Sequence, residues 1–495
     1  MIPAPSRTGL LCALTATAAL LPAVPVHAAP PAPALHFGAC PASVPDPPAP
    51  AHVECGRLSV PLDRSRPDGR QIHIAVSRVR ADGPPAERRG VLLVNPGGPG
   101  GAGLPYAVTK RAKLPESVRR SYDVIGFDPR GTGQSTPVQC GPMGGLFDSP
   151  GQDPVPAGRA AERAYLDTLR RTADDCAAGA GAALPYLSTT RTAHDMDAIR
   201  LALGERRISF LGVSYGSYLG AAYAAQFPRH IARMVLDSVV GPWGWYDFDR
   251  KQSRALLRRR AEFLSWVAVH SGRFGLGGSG DVVRAAYQRV RDGLARRPVE
   301  GFGAAEFDRA VYRALGRTER WAPLADGIRA YLDNGSTARL RPAEPFDGAA
   351  SRTYEAANRT VKCADSHAPT PGRVVADIRR IRRLDPQPVL TGMEASVCAF
   401  WHHRPVHNTP LGSAEAPPVM LIASEHDPVT PIEGAHALRR RLPGSRLITL
   451  HHDYSHGVFA SRGNACVDGA AAKYLVDGVV PSTDVHCLGP GLPSP

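Results

Sequence analysis

The residues Gly212-Val213-Ser214-Tyr215-Gly216 fit the pattern G-x-S-x-G. A serine in that pattern is a nucleophile when a strand runs into it and a helix leaves it, because the sharp turn holds the residue strained with its Oγ exposed. Residues 208–211 read as the strand, and residues 217–226, small side chains with Tyr218, Leu219 and Tyr223, read as the helix. The flanking glycines let the two pass closely, and the helix N-terminus supplies a field that favours negative charge. The bland alternative is a glycine-rich turn without chemistry; the strand before and the helix after weigh against it.

Asn95-Pro96-Gly97-Gly98-Pro99-Gly100-Gly101 follows another apolar run, 91–94. A glycine-rich loop there brings the main chain close to a substrate carbonyl, and one of its N–H groups acts with the N–H after the nucleophile. Gly98 and Tyr215 are the expected donors, each worth roughly 3 kcal/mol of transition-state stabilisation. Such loops also cradle phosphate, but Pro96 and Pro99 carry no N–H, and neither G-x-G-x-x-G nor G-K-[ST] follows. The serine needs a base, and the base an orienting carboxylate. On a strand–turn–helix scaffold they follow in the order Ser, Asp or Glu, His. Asp427 comes after the apolar run 419–423 and His456 after the run 447–450, both in strand-end loops. Glu425 and Asp453 are rival carboxylates; His451 and His452 are rival bases at the strand end itself.

These residues need a scaffold. Residues 53–62 and 71–79 are separated by the turn signal Pro67-Asp68-Gly69, and the second run alternates (Ile72, Ile74, Val76) like an antiparallel strand with one buried face. The short apolar runs 91–94, 124–127, 208–213 and 234–240 suit parallel strands covered on both faces. Helical spacing fills 160–203. From 241 to 416 no strand pattern stands out; amphipathic stretches 255–270, 282–294, 307–315 and 324–332 follow one another between Pro/Gly-rich breaks. Strands resume at 419–423 and 447–450, with a helix at 432–441 between them. The reading is an α/β chain: a mostly parallel eight-stranded sheet over 36–240 and 417–495, and a largely helical cap, 241–416, inserted between strands six and seven.

The N-terminus reads as an export signal over 1–28: Arg7, an apolar stretch from Gly9, and the small-residue site ending at Ala28. The stretch is shorter than the roughly 20 residues a membrane span needs, although an uncleaved anchor is the alternative. Nine cysteines occur, and Cys12 falls in the signal. The other eight suit disulfides in an oxidising compartment, and none sits at C-x-x-C spacing, so no metal site is expected. Eight cysteines allow 105 connectivities; pairing in chain order gives Cys40–Cys55, Cys140–Cys176, Cys363–Cys398 and Cys466–Cys487. The net charge of +14 comes almost wholly from arginines interleaved with acids. Knots such as 258–260 and 439–441 read as solvated helix faces rather than as a nucleic-acid surface.

Taken together, several segments resemble the secreted tripeptidyl aminopeptidases of actinomycetes, in the prolyl-aminopeptidase-like branch of the α/β hydrolases. They are the loop 95–101, DVIGFDPRGTGQS at 123–135, GVSYGSYLG at 212–220, VLDSV at 235–239, VKCAD at 361–365, DPVTP at 427–431 and YSHG at 454–457. The resemblance implies the α/β-hydrolase fold, a triad of Ser214, Asp427 and His456, a C-terminal region typical of that group, and no cofactor. It implies a secreted exopeptidase acting on peptide or protein N-termini and releasing short peptides, tripeptides foremost. A monomer without a membrane span is expected. Recognition of a free ammonium calls for a carboxylate in a partly closed cavity, where charge is poorly screened. Asp365 and Glu355, near the end of the cap, are the candidates, with a structural turn beside Cys363 as the alternative for Asp365. Trp401 either lines the pocket or fills the cap's core, and Asp128-Pro129-Arg130-Gly131 reads as scaffold. Residues 250–346 match no motif that sets a substrate preference. An esterase or lipase on the same triad is the rival activity; a binding protein that kept the fold is the rival without catalysis.

Overall fold

The computed structural model describes residues 1, 3–4, 35–49, 51–140, 156–341, 349–384, 390–403, 405 and 408–495. The export signal expected over 1–28 lies almost wholly outside them. The elements below belong to the unit Pro33–Pro495.

Among the described residues ten strands make one sheet: β1 (Phe37–Gly38), β2 (Val53–Pro61), β3 (Gln71–Val79), β4 (Val91–Asn95), β5 (Asp123–Phe127), β6 (Ile208–Val213), β7 (Ile231–Asp237), β8 (Val419–Ser424), β9 (Arg446–His451) and β10 (Val485–Leu488). Their order is β1-β2-β3-β5-β4-β6-β7-β8-β9-β10. The first three pairings from the β1 edge are antiparallel and all the others parallel. The expected eight strands are therefore corrected to ten, and the helical insertion falls between β7 and β8. The two strands that the sequence hides are both short edge strands, which bury too little to need an apolar run. Each lies beside a disulfide: Cys40–Cys55 ties β2 to the residues after β1, and Cys466–Cys487 ties β10 to its neighbouring helix. Cys140–Cys176 and Cys363–Cys398 complete the pairing in chain order.

Helices cover both faces of the sheet. They are α1 (Leu104–Arg111), α2 (Glu116–Ser121), α3 (Gly158–Ala180), α4 (Thr189–Ala202) and α5 (Tyr215–Gln226), with α13 (Glu433–Arg439) and α14 (Ala465–Asp477) near the C-terminus. Strand alternation sends Leu92, Val94 and Val124 to one face, against Val118 of α2 and Leu475 of α14. The opposite set, Val91, Leu93 and Ile125, packs with Leu169 of α3, Met196 of α4 and Leu219 of α5. The strand expected at 234–240 starts earlier and stops at Asp237, because Ser238 turns to φ +52°.

Between β7 and β8 lie α6 (Trp245–Val269), α7 (Ser271–Phe274), α8 (Gly280–Arg296), α9 (Ala304–Leu315), α10 (Trp321–Asn334), α11 (Ala349–Asp365), α12 (Pro371–Leu384) and a 3₁₀ stretch, Leu390–Phe400. The block is not uniform. Phe263, Val283, Phe307, Trp321 and Ile328, from α6 and α8 to α10, form a core of their own. Val361, Ile378, Val397 and Trp401 instead join the core on the sheet. Trp401 thus fills a core. Arg259 and Arg260 are buried, contrary to the expected solvated face. The reason is local: Arg259 donates to His426 O (2.8 Å) and its guanidinium lies over the Tyr454 ring.

The loop after β5 is braced by charge. Asp128 accepts from the N–H groups of Gly103 (2.8 Å), Leu104 (3.1 Å) and Gln134 (2.7 Å). Arg130 makes two 2.7 Å bonds to Asp195 of α4, and both side chains are fully buried. Removing one partner of such a pair strands the other's charge. Asp195→Ala is therefore expected to cost about 3–5 kcal/mol of stability, read as a lowered denaturation midpoint in urea.

Candidate active site

The sheet reverses direction between β4 and β6: the chain leaves β4 for β5 on one side and returns to β6 on the other. In open α/β sheets ligands bind beyond the carboxyl ends of strands at such a point, and both the glycine-rich loop and Ser214 lie there. Ser214 sits between β6 and α5 with φ +60° and ψ −125°, a conformation few non-glycine residues adopt. It is held in place. Its N–H donates to Asp237 O (2.9 Å), and its carbonyl accepts from Ser217 N (2.8 Å) and Ser217 Oγ (2.6 Å). Close approach dictates two of the glycines around it. A Cβ at Gly216 would lie 2.7 Å from Asn95 O, and one at Gly97 would lie 2.5 Å from Val213 O and 3.0 Å from Ser214 Cβ.

The N–H of Gly97 is spent on Asn95 Oδ1 at 3.0 Å. Those of Gly98 and Tyr215 have no hydrogen-bond partner among the described residues, and both residues line the cavity with Ser214. They can both donate to an oxygen growing negative beside Ser214. The Tyr215 side chain is engaged elsewhere: its hydroxyl meets Thr189 Oγ1 at 2.7 Å.

His456 lines the same cavity. Its Nδ1 lies 2.8 Å from Oδ2 of the buried Asp427. A carboxylate at Nδ1 selects the tautomer with the proton there and leaves Nε2 free to accept. Asp427 is itself fixed by Val429 N (2.8 Å), Thr430 N (3.1 Å) and Thr430 Oγ1 (2.7 Å). The loop beyond His456 is anchored to β7: Gly457 N donates to Ser238 Oγ (2.8 Å), and Val458 N and Phe459 N donate to Asp237 Oδ2 (2.9 and 3.0 Å). None of the rivals lines the cavity. Glu425 accepts from His452 N (2.8 Å), Asp453 from Ser424 Oγ (2.8 Å) and Ser455 N (2.9 Å), and His451 Nε2 meets His486 Nδ1 at 2.9 Å.

The two carboxylates expected to receive an ammonium separate. Asp365 is buried, and its oxygens accept from Thr189 N (2.8 Å), Thr189 Oγ1 (2.5 Å) and Trp245 Nε1 (3.3 Å). It is absent from the cavity wall, so the expectation for Asp365 is corrected: it joins α11 to α4 and α6. Burial, only partly offset by the Thr189 and Trp245 hydrogen bonds, pushes its carboxyl up to about 6. Glu355 does line the cavity, beside Arg359 at 3.7 Å. So does Glu394, which the sequence reading missed; it pairs with Lys362, whose Nζ also lies 3.7 Å from the buried Asp249. Burial raises Asp249 to about 6. Burial works against the Lys362 charge, yet Asp249 and Glu394 together hold its pKa above the ordinary value. The signal for Glu394 was indirect: Cys398, four residues on, is bonded to Cys363 beside Lys362.

The cavity encloses about 510 Å³. Its walls differ in sign. Glu355, Lys362 and Glu394 come from α11 and the 3₁₀ stretch, and Arg309, Arg313, Arg317 and Arg320 from α9 and the turn after it. A bound molecule meets the Ser214 hydroxyl, the N–H groups of Gly98 and Tyr215, the imidazole of His456 and charges of both signs.

The family described as the alpha/beta hydrolase fold matches residues 90–457. A tripeptidyl aminopeptidase of Streptomyces lividans is 37% identical over 464 residues, spanning 90% of this chain and 86% of its own length. A Mycobacterium tuberculosis protein named carboxylesterase B is 32% identical over 458 residues, 88% of this chain and 86% of its own. Among solved structures, a proline iminopeptidase of Mycobacterium smegmatis aligns over 85% of this chain and 98% of its own, at 16% identity and a TM-score of 0.38.

The raised carboxyl of Asp365 has a pH signature. The folded state binds this proton more tightly than the unfolded chain does, so its stabilising effect is full below about 3.8 and is lost as pH rises to about 6. Asp365→Asn removes that slope. Its urea midpoint should therefore gain on the parent's between pH 4 and pH 6.5, and parallel midpoints across that window would count against the assignment.

Proposed function

The chain belongs to the α/β-hydrolase fold family, and on that footing we propose that it is a secreted serine exopeptidase releasing short peptides, tripeptides foremost, from free N-termini. The observation that carries this reading is the cavity itself, where a strained, accessible serine shares a wall with an aspartate-held histidine and with two glutamates. The likeness to a tripeptidyl aminopeptidase over most of both chains supports the substrate class.

In the proposed reaction, Ser214 Oγ attacks the peptide carbonyl carbon while His456 Nε2 takes the hydroxyl proton. The carbonyl oxygen becomes an oxyanion, received by the N–H groups of Gly98 and Tyr215. Asp427 holds the imidazolium at Nδ1. The imidazolium returns the proton to the amine nitrogen, the C–N bond breaks, and the C-terminal part of the substrate leaves. Water, deprotonated by the same histidine, then releases the acyl group from Ser214. Glu355 and Glu394 receive the substrate ammonium, and their fixed distance from Ser214 sets how many residues are removed. Residues 36–240 and 417–495 serve as the catalytic layer and 241–416 as a cap that restricts access. Four disulfides accord with export after removal of residues 1–28. Among the described residues no helix is long and apolar enough to cross a membrane.

An esterase on the same triad is the second reading, favoured by the relative named carboxylesterase B. An ester without an amine has no use for the two glutamates, so the substrate's α-amine discriminates. A fluorogenic tripeptide amide should be cleaved with a free N-terminus and not when acetylated; equal cleavage of both, or turnover of a short nitrophenyl ester alone, rejects the exopeptidase. Ser214→Ala should lower kcat by about 10⁴-fold or more with an unchanged melting curve. Glu355→Gln with Glu394→Gln should raise KM for the free peptide about tenfold or more while sparing ester hydrolysis.

A further inference from the structure

The arginine wall has a defined place relative to the reaction. α11, which carries Glu355 and Lys362, leans on the glycine-rich loop: Asn358 Nδ2 donates to Pro99 O at 3.1 Å, and a Cβ at Gly98 would touch Tyr354 at 3.0 Å. The acidic wall therefore belongs to the oxyanion side. The arginine segment leans on the other side. His456 N donates to Gly316 O at 3.3 Å, a Cβ at Gly316 would lie 3.2 Å from Val429 Cγ2, and Glu319 pairs with Arg462 at 3.1 Å. These contacts fix residues 316–320 against the loops that carry His456 and Asp427. In acyl transfer the base hands its proton to the leaving amine, so the departing segment passes the histidine's side of the cavity.

Arg317 and Arg320 are exposed there, flanking the Glu319 that Arg462 occupies. No carboxylate is hydrogen bonded to either guanidinium among the described residues. Arg317 is held below its ordinary value by desolvation first and by Arg320 and Arg462 next; Arg313 is lowered by desolvation, then by Arg309 and Arg320. Elsewhere in this basic chain many arginines pair with acids, as Arg273 does with Asp326 (2.8 Å) and Arg379 with Glu162 (2.6 Å). Arg317 and Arg320, which have no such bond among the described residues and line the reaction cavity, differ from a merely solvated face.

We propose that Arg317 and Arg320 form an anion subsite that takes a carboxylate of the leaving segment. The cavity then matches the polarity of a short peptide, with its ammonium at Glu355 and Glu394 and its negative end at the arginines. The carboxylate has two sources, the free C-terminus of a short peptide or an Asp or Glu side chain just beyond the cut. The subsite rests on the exopeptidase reading.

The test is a set of peptides sharing three N-terminal residues, followed by Ala as free acid, Ala as amide, or Asp as amide. In the parent enzyme the Ala acid should exceed the Ala amide in kcat/KM by about fivefold or more, with the gap shrinking as salt rises. In Arg317→Gln/Arg320→Gln the acid-to-amide ratio should fall towards one, whereas mere structural damage lowers both substrates together and leaves the ratio intact. A gain with Asp amide, lost in the same variant, identifies the side-chain source and supports the subsite equally. Equal rates for all three peptides, or a preference that survives the double substitution, overturn the subsite and leave the peptidase standing. Cleavage of none of them overturns both.

Discussion

The strained turn at Ser214 cannot hold itself; its neighbours impose it. Backbone at φ +60° for a serine costs on the order of 1–3 kcal/mol, and it persists because the surroundings leave no room to relax. Asp237 O holds its N–H from β7, Ser217 holds its carbonyl from α5, and the loop after β4 presses on it so closely that Gly97 tolerates no side chain. A strand, a helix and a loop thus fix one residue. Asp237 does two tasks: its carbonyl holds the serine, and its carboxylate collects the N–H groups behind His456. Burial raises the pKa of that carboxyl, and the N–H groups repay part of the cost. Ser214 and His456 are therefore registered to each other through the end of a single strand.

The helical insertion adds to this sheet in two pieces with different attachments. α6 and α8 to α10 keep a core of their own, while α11, α12 and the 3₁₀ stretch share the core of the sheet. The acidic wall rides on the second piece and the arginine wall on the first. Charges of opposite sign inside a cavity of about 510 Å³ are screened less than in bulk water, so Glu355 on the second piece acts on the charge of Arg313 on the first.

What could be read from the chain alone was local. A strand, G-x-S-x-G and a helix are contiguous, and so are Asp427 and His456 with the strands before them, so the sequence singles out Ser214, Gly98, Tyr215, Asp427 and His456; the structure puts Gly98, Ser214, Tyr215 and His456 around one cavity, with Asp427 bonded to His456. Features decided by long-range packing were misread. Asp365 looked like a charge near a substrate, yet the hydrogen bonds that occupy it come from residues 189 and 245. Glu394 carried no motif, because its place depends on a lysine 32 residues away. Arg259 looked solvated on helical spacing, but the ring that covers it is Tyr454. The edge strands β1 and β10 were hidden because Phe37–Gly38 and Val485–Leu488 are too short to show a periodicity.

The Cys363–Cys398 bond gives the cavity an unequal dependence on redox conditions. It joins α11, with Glu355, to the 3₁₀ stretch that carries Glu394, so a covalent link lies between the supports of the two glutamates. Ser214, Asp427 and His456 are spaced by β6, β8 and β9 and their hydrogen bonds, which no reductant touches. Reduction thus loosens the end of the cavity that would read a substrate's charge before it reaches the end that would cut. Oxidation of this pair then does more than add stability: it links the supports of Glu355 and Glu394, whereas the fold alone spaces Ser214, Asp427 and His456.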